Sequence, residues 1–193
     1  MLAFSRLTTF LLFVLSLSFL TCAAPTSGKA QELSIREDNC SGVVTALAQL
    51  EAKLKVHLDA CAQIDAKVGA EDLIVKVKAD IDATVQAVVS VNVHGNVEGK
   101  VKTEIIGRIA AIITIVAKIL IKLSAKLSVS VMAQICVQID ACLKALLLSL
   151  NVLIPGIVSL SLNAIVDLTV IVFIKVKLVL CAEVLGLLKV HIN

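Results

Sequence analysis

Between Thr114 and Gln138 the chain is polar at every fourth position: Thr114, Lys118, Lys122, Lys126, Ser130, Gln134 and Gln138. Nearly every residue between them is Ile, Leu, Val or Ala. Steps of four stay close to one face of an α-helix and drift slowly around it. A segment that is apolar on its remaining faces needs protein neighbours on several sides, or a lipid or air boundary on one. The stripe therefore predicts a helical protein with more apolar surface than a soluble domain of this size usually carries.

The bulk composition points the same way. A chain of 193 residues is one domain by default. It is 59% hydrophobic with a mean hydropathy of +1.00, against roughly 45–50% apolar residues in an ordinary soluble domain. Aromatics make up only 3%, with no Trp and no Tyr, so the apolar mass is aliphatic. This argues against stacking platforms for bases or sugars and against a nucleic-acid partner. It also leaves the chain without the Trp and Tyr belts that anchor membrane spans. The formal charge is +3, but unevenly placed. Residues 25–104 hold nine Lys/Arg and twelve Asp/Glu, a balance of −3, whereas residues 105–193 hold eight and three, a balance of +5. Dilute basic charge on an apolar half suits an anionic membrane or wall polymer. The plainer reading is a set of solubilising lysines on a helix surface.

The N-terminus reads as a secretory signal peptide over residues 1–23. Arg6 supplies the basic region, Leu7 to Leu20 the apolar core, and Thr21-Cys22-Ala23-Ala24-Pro25 the small residues of a cleavage site. Phe19-Leu20-Thr21 fits poorly the small residue expected before a lipidated Cys22. The expected location is extracellular, in the medium or the cell wall. Residues 24–39 are read as a flexible polar leader. Residues 40–193 are read as one helical domain with an amphipathic half (40–99) and a strongly aliphatic half (100–193).

Five cysteines remain after such a cleavage: Cys40, Cys61, Cys136, Cys142 and Cys181. The secretory route permits disulfides, and an odd count leaves one thiol free or pairs it between chains. No C-x-x-C occurs, which leaves a zinc ribbon or thioredoxin-type site unsupported. A Cys40–Cys61 bridge requires the intervening segment to bend, because a helix of that length spans about 31 Å. Asn39-Cys40-Ser41 matches the N-x-[ST] acceptor pattern, making Asn39 a candidate glycosylation site.

Periodicity supplies the elements. Val44, Leu47, Leu50, Leu54, Leu58 and Cys61 recur at threes and fours, an amphipathic helix starting near Ser41. Residues 73–97 satisfy two periods. Alternation at Val75, Val77, Ala79, Ile81 and onward suits a strand, while Leu73, Val77, Ile81, Val85 and Val88 suit a helix. Length decides for helix, since strands usually run about three to ten residues. His94-Gly95-Asn96-Val97-Glu98-Gly99 is the best turn signal in the chain. A bend near Ser128 breaks the segment from Lys100 to Asn151, and Pro155-Gly156 makes the next turn. Val170 to Val179 is β-branched, and a strand is the runner-up there. Two Pro and eight Gly supply too little turn chemistry for an all-β fold. The expectation is an all-α bundle of four to six helices at about 41–67, 71–93, 100–126, 128–150 and 157–190. Cys61-Ala62-Gln63-Ile64-Asp65-Ala66 echoes Cys136-Val137-Gln138-Ile139-Asp140-Ala141, through either a duplicated helix pair or coincidence.

Lys144 and Asp167 enclose twenty-two residues without a formal charge, enough in length for a membrane span. Pro155-Gly156 at the centre and Ser149, Asn151, Ser159, Ser161 and Asn163 argue instead for two helix ends joined by a turn. No catalytic, cofactor or metal site is expected. His57, His94 and His191 form no metal spacing; Asp80/Asp82 and Glu37/Asp38 read as solvated charge; no G-x-S-x-G, P-loop or G-x-G-x-x-G occurs.

The layout of signal peptide, more hydrophilic N-terminal half, aliphatic C-terminal half and scattered cysteines resembles small secreted proteins of mushroom-forming fungi associated with aerial hyphae and the cell wall. The hydrophobin pattern of eight cysteines with adjacent pairs is absent, since the chain has no Cys-Cys. The resemblance implies a non-enzymatic structural or surface-active role at the cell wall or a hydrophobic–hydrophilic boundary. Self-association and contact with a wall polymer or lipid are the partners it suggests. A lipid-binding or membrane-associated helical protein is the alternative.

Overall fold

The computed structural model describes residues 27–64, 67–91 and 99–187, with side chains from Ser41 onward. The chain forms two compact units, Met1–Ile35 and Arg36–Asn193, and the side-chain packing below belongs to the second. The expected signal peptide and its cleavage site, Cys22, His191 and most of the turn at His94–Gly99 lie outside the described residues. So do the side chains of Glu37, Asp38, Asn39 and Cys40.

The described residues are helical, with no strand among them. They form α1 (Ser27–Ala60), a 3-10 turn (Cys61–Gln63), α2 (Lys67–Val89), α3 (Gly99–Ser124), α4 (Val129–Leu153), α5 (Ile157–Asn163), α6 (Leu168–Lys177) and α7 (Val179–Val184). That is seven α-helices among the described residues, one more than the upper end of the expected four to six. α1 starts at Ser27, inside the stretch read as a polar leader. The excess comes from the C-terminal stretch, where one expected helix over 157–190 is three short ones.

Several breaks have a local cause. Ser128 has extended backbone and starts α4, as the expected bend required. Pro155-Gly156 turns the chain, with Gly156 at φ 79°, a region glycine enters without steric cost. The Asp167 side chain accepts a hydrogen bond from the Thr169 N–H at 3.0 Å, the N-cap that begins α6. Gly186, at φ 74°, closes α7 in a Schellman motif. There the Leu187 N–H donates to the Ala182 carbonyl at 2.8 Å and the Gly186 N–H to that of Glu183 at 3.0 Å.

The ambiguous segment is α2, and burial follows the helical period. Leu73, Val77, Ile81 and Val88 are buried, while Val75 and Val89 from the alternating set are exposed. α3 carries eleven buried residues, against ten on α4. Ile105, Ile109, Ile112, Ile113, Val116, Ile119, Leu120 and Leu123 are all buried, against α4, α5, α6 and the 3-10 turn. The polar stripe is its outer edge: Lys118 and Lys122 are exposed and Thr114 half-buried. α4 packs against α2, α3, α5 and α7, and α1 adds Val43, Leu47, Leu50 and Leu54 to the same core. α4 is long and apolar enough to cross a membrane by length and composition, and half of its most apolar stretch is buried in the protein. The repeated Cys-x-Gln-Ile-Asp-Ala hexapeptide starts a 3-10 turn at Cys61 but lies in mid-helix at Cys136. The two copies do not mark a duplicated helix pair.

Far-ultraviolet circular dichroism of the purified protein should be dominated by helix, with deep minima near 208 and 222 nm. A spectrum dominated by strand would reject this architecture and restore the alternation from Val75 to Val93.

Candidate functional site

Charged side chains gather at two places on α1. Glu51, nearly buried, accepts from Lys55 Nζ at 2.6 Å and from Arg108 Nη1 of α3 at 2.8 Å. Arg108 also reaches Glu104 at 3.4 Å. One turn further, Asp80 of α2 receives Lys53 Nζ at 2.8 Å and contacts His57 Nε2 at 2.8 Å. Asp80 is therefore a paired, half-buried carboxylate that ties α1 to α2, rather than the solvated charge its neighbourhood suggested. Burial works to raise both carboxyls, but the hydrogen bonds and positive charges of Lys55 and Arg108 hold Glu51 below its ordinary value. Those of Lys53 and His57 hold Asp80 below its own. Neither cluster gathers an unpaired base or nucleophile; each joins helices.

The lysine stripe has a similar task. Lys126 Nζ donates to the carbonyls of Cys61, Ala62 and Ile64 at 3.2, 3.3 and 2.7 Å. Lys122 Nζ reaches the Leu58 carbonyl at 3.5 Å. Leu58 is in the last turn of α1, Cys61 and Ala62 are in the 3-10 turn and Ile64 follows it, and cations suit the negative end of a helix. Lys118 lies 3.7 Å from Asp167, the residue that caps α6.

The bridges expected among Cys61, Cys136, Cys142 and Cys181 are not formed: all four are buried free thiols. α1 runs unbroken through Cys40 to Ala60, so the bend that a Cys40–Cys61 bridge needs is missing. Cys136 and Cys142 are six residues apart on one helix, about 9 Å along its axis, beyond disulfide reach. Burial raises the pKa of Cys61, Cys136, Cys142 and, most strongly, Cys181, which suppresses the thiolate that exchange chemistry needs.

Asp140 was given no role by the sequence. It is buried on α4 and accepts from the N–H groups of Leu180 at 2.8 Å and Cys181 at 2.9 Å. A carboxylate from one helix thus caps the first turn of α7. The Cys181 thiol donates back to the Asp140 carbonyl at 3.5 Å. Nothing local announces this contact, because the partners are forty residues apart.

Among the described residues no three His, Cys, Asp or Glu side chains come together in a way that could hold a metal ion. Two hollows stand out among the described residues. One, of about 490 Å³, lies beside the Glu51 cluster and is bordered by Gly107, Ala111, Thr114 and Asp167. The other, of about 290 Å³, is lined by Leu127, Val129, Met132, Cys136, Val137 and Val176, with Lys177 at its edge. This second groove, between the start of α4 and the end of α6, is the candidate site. Val129, Val137 and Val176 are each more than 60% exposed, so its walls present bare aliphatic groups to solvent.

Replacing Asp140 by Ala should destabilise the protein by about 2–3 kcal/mol, because two buried N–H groups lose a charged acceptor. Urea denaturation measures this, and an unchanged midpoint would count against the cap. The carboxylate clusters predict an acid-dependent loss of stability. Their folded values lie below the ordinary 4.5 of Glu51 and 3.8 of Asp80. The unfolded chain therefore binds protons first, and the stabilisation, complete above those ordinary values, fades as pH falls through the lower folded ones. Melting temperature plotted against pH should drop in that acid window, and the E51Q/D80N double variant should show a flatter curve there.

No family model matches this chain, and neither a curated protein nor a solved structure matches it.

Proposed function

We propose that this chain is a secreted, non-enzymatic, surface-active protein that works where an aqueous phase meets an apolar one, at a cell wall or a comparable boundary. The observation that carries the reading is the placement of exposed aliphatic side chains. Among the described residues, ten of the fourteen exposed large hydrophobics fall between Val129 and Val179: Val129, Val137, Leu148, Val152, Leu160, Val166, Leu168, Val172, Val176 and Val179. Scattered single hydrophobics are normal on a protein surface, but this concentration within about a quarter of the chain makes the region a candidate interaction surface. On α4 the polar stripe of Ser130, Gln134 and Gln138 runs beside exposed Val129, Ala133 and Val137, and further along the outward residues are Ala141, Ala145, Leu148 and Val152.

Self-association, on this reading, runs through these aliphatic faces. The inter-chain disulfide suggested by the odd cysteine count gains no support from the four described thiols, which are buried. The charged groups of Glu51, Asp80, Asp140 and Lys126 serve helix joining and helix capping, which fits a structural part better than an enzyme.

The purified protein should lower the surface tension of an air–water interface at micromolar concentration, and L148S/V152S should weaken that effect while leaving the circular dichroism spectrum unchanged. A protein that stays monomeric, leaves surface tension at the buffer value and does not associate with wall material would overturn the proposal.

A further inference from the structure

We infer that the α4–α6 groove and the outer face of α6 dock on an anionic lipid surface. The inference rests on the interfacial reading above and gives the apolar phase a chemistry.

Three features of this face lead there. Leu168, Val172 and Val176 follow one another at steps of four along α6 and are all more than half exposed, an apolar row about 12 Å long. Val170 and Ile174 on the opposite side are buried and hold the helix to the core, so the outward row is a fixed feature of the folded chain. Val129 and Val137 extend it across the groove onto α4. The second feature is charge. The segments 124–139 and 168–179, which build both walls, contain Lys126, Lys175 and Lys177 and no Asp or Glu. Lys126 is engaged with the carbonyls of Cys61, Ala62 and Ile64. Lys175 and Lys177 are exposed and flank Val176, where they make no ion pair with another described residue.

The third feature is the arrangement of these two. Aliphatic side chains in the middle with lysines beside them match the boundary of a bilayer: apolar groups enter the acyl region, and ammonium groups stay at the phosphates on long stems. A second copy of the chain fits less well, because a two-fold contact buries the same patch on both copies, and the segments that build this patch offer lysines with no acid to meet them. Each lysine near an anionic leaflet adds about 1 kcal/mol, and this attraction is screened by salt.

The test is flotation of the purified full chain with vesicles of phosphatidylcholine alone and of phosphatidylcholine mixed equally with phosphatidylglycerol. Binding is expected to the mixed vesicles only, and to fall as salt is raised. K175Q/K177Q should weaken it about thirtyfold, the factor for two lysines lost at such a surface. V172D/V176D should abolish it. V75D, an exposed valine of α2 outside the groove, should leave it unchanged, with circular dichroism confirming that each variant folds. Equal binding to both vesicle types, binding that survives V172D/V176D, or a dimer that only V172D/V176D dissociates would overturn the inference. A protein that lowers surface tension but ignores both vesicles loses this inference and keeps the interfacial reading; one that does neither loses both.

Discussion

Everything in this fold depends on enclosing α3. Its buried residues point in nearly every direction except that of the lysine stripe, so no single neighbouring helix can cover it. The chain answers with several: α4, α5, α6 and the 3-10 turn all lie against it. Burying one Val, Leu or Ile side chain contributes roughly 1.5–3 kcal/mol, and with no Trp or Tyr in the sequence the core is a sum of many such increments. Val and Ile are mediocre helix formers because their branched side chains lose rotamer freedom. The helices therefore draw their stability from each other more than from their own sequences, as most helices in folded proteins do.

A bundle of this kind still has to end its helices. With two Pro and eight Gly in the whole chain, few helix ends carry their own stop signal. The structure closes several of them with side chains from elsewhere. Lys122 on α3 reaches the Leu58 carbonyl in the last turn of α1 and Lys126 just after α3 holds carbonyls of the 3-10 turn and Ile64, and Asp140 on α4 takes N–H groups in the first turn of α7. Each of these contacts does two things at once. It satisfies backbone groups that would otherwise be unpaired, and it fixes the angle between two helices that apolar packing alone would define loosely.

The same economy explains what could and could not be read from the sequence. Periodicity is local, so the helical class, the outward stripe on α3, the bend at Ser128 and the turn at Pro155-Gly156 were all legible. The choice of helix for α2 was legible too, because length ruled out a strand where alternation favoured one. The division of the stretch after Gly156 into α5, α6 and α7 was not. Asp167 is a cap that looks like any isolated acid, and the start of α7 is fixed by Asp140, far away in sequence. Nor could spacing say that the lysine stripe grips the end of α1, that Asp80 joins His57 and Lys53, or that Cys136 and Cys181 sit as separate buried thiols. Those facts belong to packing, and a single sequence shows packing only through which faces are apolar. The candidate groove was the least legible part, since its walls come from α4 and α6 and its valines look like core residues until their exposure is known.

The distribution of acids follows from this division of labour and decides the sign of the surface. In residues 105–193 there are three acids: Asp140, Asp167 and Glu183. Asp140 is buried as a cap, and Asp167 caps α6 while lying near Lys118. Two of the three therefore serve helix starts. Arg108 and Lys118 of this half are paired with Glu51, Glu104 and Asp167, while Lys175 and Lys177 on α6 make no ion pair with another described residue. In the earlier part of the chain the reverse holds: Glu51 and Asp80 are matched by Lys55, Arg108, Lys53 and His57. The basic, aliphatic face around α6 is thus what remains when a chain with few turn residues uses its acids to start helices.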